Sequence, residues 1–70
     1  MIWERNGDAY HATVEAPTGE VLFYLVVERF DHRWDWTTWR PGAEITQAKH
    51  GEAATVQEAM NQAEFSTYDV

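Results

Sequence analysis

The stretch EVLFYLVVERF, Glu20 to Phe30, decides the fold. In an extended chain Val21, Phe23, Leu25 and Val27 point one way while Leu22, Tyr24 and Val26 point the other, so its middle has no wet face. Val21 to Val27 is the longest apolar run, of strand length and far short of a bilayer crossing. A strand apolar on both sides is central in its sheet and covered twice. A C-terminal helix supplies one cover, and the chain offers no evident second.

The segments around it read as its neighbours. Tyr10, Ala12 and Val14 alternate with His11, Thr13 and Glu15, a half-buried strand. Ala16-Pro17-Thr18-Gly19 joins it to the central strand as a hairpin loop, because proline presets the first turn position and glycine a later left-handed one. Upstream, Asn6-Gly7 signals a two-residue hairpin that sets Arg5 opposite Asp8 and Trp3 opposite Tyr10. Downstream, Asp31-His32 turns the chain into Arg33 to Trp39, a strand rich in Trp and Thr that Pro41-Gly42 breaks. AEITQAK, Ala43 to Lys49, is a weak further strand closed by His50-Gly51. Thr55 and Glu58 form a capping-box pair ahead of Val56, Ala59, Met60 and Ala63 at helical spacing, with Gln57, Glu58, Asn61, Gln62 and Glu64 opposite and Phe65 packing at the helix end.

The expected architecture is one α+β domain, residues 1–70: a three- or four-stranded antiparallel meander with a C-terminal helix packed on one face. With 70 residues the core is small, and ten aromatic side chains, four of them Trp, compensate by area. Three of the tryptophans fall within six residues. Period 2 divides them, placing Trp34 and Trp36 with Thr38 on one face and Trp39 with Asp35 and Thr37 on the other. They are core or rim residues, or one face carries an exposed aromatic patch of the kind that marks an interface.

Composition excludes more than it identifies. With no cysteine there is no disulfide, thiolate nucleophile or thiolate-bound metal. His11, His32 and His50 are too dispersed for a metal-ligand motif. The chain has a single serine, Ser66, and no phosphate-cradling glycine loop, so no cofactor and no enzymatic role is expected. The N-terminus, interrupted by Glu4, Arg5, Asn6 and Asp8, does not read as a signal peptide or membrane span, and a cytoplasmic protein is expected. Twelve carboxylates against five Lys and Arg give a net charge of −7, which opposes phosphate backbones and suits either solubility or a basic partner.

KHGEAATVQEAMNQAE, Lys49 to Glu64, resembles the strand, glycine and capped-helix segment of HicB-type antitoxins and related small bacterial proteins. Gly51, Thr55, Glu58, Ala59, Ala63 and Glu64 carry the resemblance. It implies a small sheet with one helix in an acidic protein that neutralises a basic partner. The tryptophan-rich strand departs from that family, and no DNA-binding extension follows the helix.

The resulting expectation is a non-enzymatic, phage- or bacterial-type interaction module for a basic protein. Single-stranded nucleic-acid binding through the Trp/Arg strand and a purely structural homodimer are the alternatives. The candidate partner or dimer interface comprises Trp34, Trp36, Trp39, Phe23, Leu25, Arg33 and Asp35, with a homodimer covering the second face of the central strand.

Overall fold

The computed structural model describes residues 1–68. Five strands, β1 (Glu4–Asn6), β2 (Ala9–Glu15), β3 (Val21–Phe30), β4 (Arg33–Trp39) and β5 (Lys49–Ala53), precede one helix, α1 (Val56–Ser66). The strands form one antiparallel sheet in sequence order, an α+β meander with two strands on each side of β3. The strand count exceeds the three or four expected, because β1 is only three residues long and β5 lies later than its propensity suggests.

The helix covers the face that carries Leu25 and Val27, which are 1% and 0% exposed. Full burial of such side chains stabilises by about 2 kcal/mol each. Ala59 and Ala63 lie against them with no exposure, since small side chains let the helix approach the sheet closely. Thr55 Oγ1 accepts the Glu58 N–H at 3.1 Å, closing the helix N-terminus. Phe65 does not pack at the helix end as expected: it is 75% exposed.

Two local readings are corrected. The first hairpin pairs Asn6 with Ala9 and Arg5 with Tyr10, so its loop is Gly7-Asp8 and not Asn6-Gly7. Gly7, at φ +67°, takes the first loop position, where a turn with one left-handed residue needs glycine. Arg5 therefore sits over the Tyr10 ring, 5.9 Å from its centroid, instead of facing Asp8. The second correction concerns Ala43 to Lys49. Ile45–Gln47 is a 3-10 turn in which Gln47 N–H bonds Glu44 O at 2.9 Å and Gln47 Oε1 accepts the Glu44 N–H at 3.2 Å. Local bonding satisfies this backbone, and pairing with β4 begins only at Lys49, which puts His50 and Gly51 inside β5.

Candidate interaction surface

The helix face of the sheet is closed by aromatic side chains bonded to the helix. Trp36 Nε1 donates to Gln62 Oε1 at 2.8 Å, and Trp3 Nε1 donates to Glu64 Oε2 at 3.1 Å. Gln62 and Glu64 flank the buried alanine stripe, so each indole finds an acceptor on its own side of α1. Trp34 stacks on Tyr10 with centroids 6.0 Å apart, and Arg40 covers Phe23 at 4.7 Å. Thr38, 2% exposed, bonds Ser66 across the same layer at 2.9 Å.

The other face has no cover within the described chain. Its side chains fall into transverse rows fixed by the register. Thr13, Tyr24 and Trp39 form one; Glu4, His11, Val26, Thr37 and His50 form the next; Asn6, Ala9, Glu28, Asp35 and Glu52 form the third. The face is therefore graded from aromatic to acidic. At the aromatic end Tyr24 and Trp39 stack with centroids 5.6 Å apart, and Leu22 and Ile2 are 38% and 83% exposed. A shallow groove of about 230 Å³ runs between Ile2, Glu4, His11, Tyr24, Val26 and Trp39.

At the acidic end Glu28 lies directly opposite Asp35, and Asp35 directly opposite Glu52. Like charges in opposed positions destabilise a sheet. Arg33 offsets part of this, its Nε lying 3.0 Å from Asp35 Oδ1 and 2.7 Å from Glu52 Oε2. The hydrogen bond that Arg33 donates to Asp35, then the charge of Glu52, raise the Arg33 guanidinium pKa above its ordinary value. That ion pair does not include Glu28.

The structure splits the candidate interface residues. Leu25 lies beneath α1 and is not on a surface, while Phe23, Trp34 and Trp36 are half-buried on the helix face. Trp39, Arg33 and Asp35 share the uncovered face, as the alternation in β4 requires. Tyr24, Glu28 and Glu52 join them. The period-2 pattern groups Tyr24 with Leu22 and Val26 and Trp39 with Asp35 and Thr37, but only the β3–β4 register joins the two sets, and Glu52 is hidden in the sequence because β5 is not legible there. His11 and His50 share one row with two strands between them, and His32 sits in the β3–β4 turn. Among the described residues no three His, Cys, Asp or Glu side chains are grouped to hold a metal ion.

Fold and surface together define a small α+β sheet protein with one helix-covered face and one aromatic-acidic face. Among the described residues no helix is long and apolar enough to cross a membrane. Comparison with protein-family models, curated proteins and solved structures found no match.

Proposed function

We propose that the chain is a non-enzymatic interaction module whose uncovered sheet face docks a basic protein, with Trp39 and Tyr24 as the apolar anchor and Glu28, Asp35 and Glu52 as the charge match. The carboxylate row supports this reading most directly. Three opposed carboxylates with one guanidinium between them weaken the free fold, and a cationic partner turns that repulsion into attraction. An inhibitor or antitoxin-like role, as the Lys49 to Glu64 resemblance implies, is the form such a module takes.

The same row argues against the other occupants of this face. A single-stranded nucleic acid gains stacking on Tyr24 and Trp39 but meets phosphate repulsion along Glu28, Asp35 and Glu52. A second copy packed face to face sets the two carboxylate rows near one another.

The test is titration with a Lys/Leu amphipathic peptide, read by tryptophan emission and by anisotropy of a labelled peptide. Binding should weaken steeply by about 0.5 M salt. Glu28→Lys and Trp39→Ala should each weaken it by roughly tenfold or more, while Glu58→Lys, on the exposed side of α1, should not. Equal loss in the Glu58→Lys variant would reduce the effect to net charge, and tighter binding of an oligothymidylate would favour the nucleic-acid reading.

A further inference from the structure

The β5 edge of the sheet points to a second interaction, beside the uncovered face. β5 pairs with β4 on one side and is the last strand of the sheet on the other. Such an edge is a template for another strand. The opposite edge is blunted because β1 is three residues long, whereas β5 offers five.

We propose that the outer edge of β5 pairs antiparallel with β5 of a second copy, centred on Gly51. In that register His50 of each copy faces Glu52 of the other, on the uncovered face. Both side chains are exposed, and an imidazole N–H can donate to a carboxylate whether or not the ring is protonated. The second copy's imidazole thus extends the row Glu28, Asp35, Glu52 and gives Glu52 a second donor beside Arg33 of its own chain. The adjacent row, ending in Thr37 and His50, gains the other Glu52. A strand running parallel, or shifted by two residues, loses this reciprocal match.

Apolar side chains flank the same edge. Gln62 and Phe65 lie on the side of α1 that meets Trp36, opposite the side where Glu64 meets Trp3, and Phe65 is 75% exposed. Ile45, 90% exposed, lies toward Thr37 and Trp39 on the uncovered face. The two-fold axis of an antiparallel pair is perpendicular to the sheet, so both helices stay on one side. The two aromatic-acidic faces then form one ten-stranded surface, twice the span of either alone.

The absence of native cysteine makes the register directly testable. His50→Cys and Glu52→Cys variants are prepared separately and oxidised mildly, alone and mixed, while light scattering follows the unaltered chain over a dilution series. The proposal expects a dimer of twice 8.1 kDa and a disulfide-linked species that forms in the mixture at least several-fold faster than in either variant alone. A native chain that stays monomeric overturns it. So does a dimer whose variants link to themselves as readily as to each other, or do not link at all, because self-association then uses another surface.

Discussion

The Trp36 indole lies across Gly51 of the neighbouring strand, so closely that a Cβ on Gly51 would sit 2.8 Å from three of the ring atoms. The indole occupies the space a side chain would fill and is held there by its bond to Gln62. Glycine normally weakens a strand. Here it makes room for a tryptophan.

Gly51→Ala should therefore destabilise, although alanine in an ordinary strand position is the better residue. Displacing the indole costs about 1–3 kcal/mol by the usual scale of overpacking. Urea unfolding should show the loss, and near-ultraviolet circular dichroism should show the Trp36 signal altered in the folded state. A variant as stable as the parent would mean that the indole moves aside freely.

Thr38 and Ser66 should respond asymmetrically. Ser66 Oγ donates to Ala63 O at 2.7 Å, so in the Thr38 to Ser66 bond the threonine is the donor. Ser66→Ala strands a buried hydroxyl and should cost about 1–3 kcal/mol, whereas Thr38→Val removes that hydroxyl with its shape kept and should cost about 1 kcal/mol. The double variant should resemble Thr38→Val more than the sum of the two, which a double-mutant cycle by chemical denaturation reads directly.

Glu28→Gln should stabilise the free protein. It removes one of two opposed like-charge contacts in the carboxylate row, worth about 0.5 kcal/mol. The gain should fade as salt screens the row, so melting at low and high ionic strength separates this cause from a packing change. The same substitution should weaken a basic partner, so stability and binding move in opposite directions.

Asp31 holds φ +63° in the β3–β4 turn, the one non-glycine residue with positive φ among those described. Aspartate tolerates this region better than most, and a β-branched residue does not. Asp31→Val should cost about 1–2 kcal/mol, while Asp31→Gly should cost nothing or stabilise slightly. Thermal melts of the two variants give the order, and a Val variant as stable as the Gly variant would show that the turn had changed type.

By itself the sequence determined β3 as the centre of the sheet, because the run from Val21 to Val27 is apolar in both directions and such strands lie inside their sheets, although one of its two faces has no cover here. Alternation separated Trp34 and Trp36 from Trp39, and Thr55 marked the start of the helix. These are local facts, written in periods of two and 3.6 residues. Tertiary structure decided the rest. Lys49 to Ala53 has no strand propensity to announce it, and it joins the sheet because β4 offers it a free edge and Trp36 a place over Gly51. Polar residues of α1 proved to be indole acceptors because Trp3 and Trp36 come from opposite sides of β3 to meet them. The carboxylate row is likewise invisible in sequence: Glu28, Asp35 and Glu52 become neighbours only when the register of three strands is set.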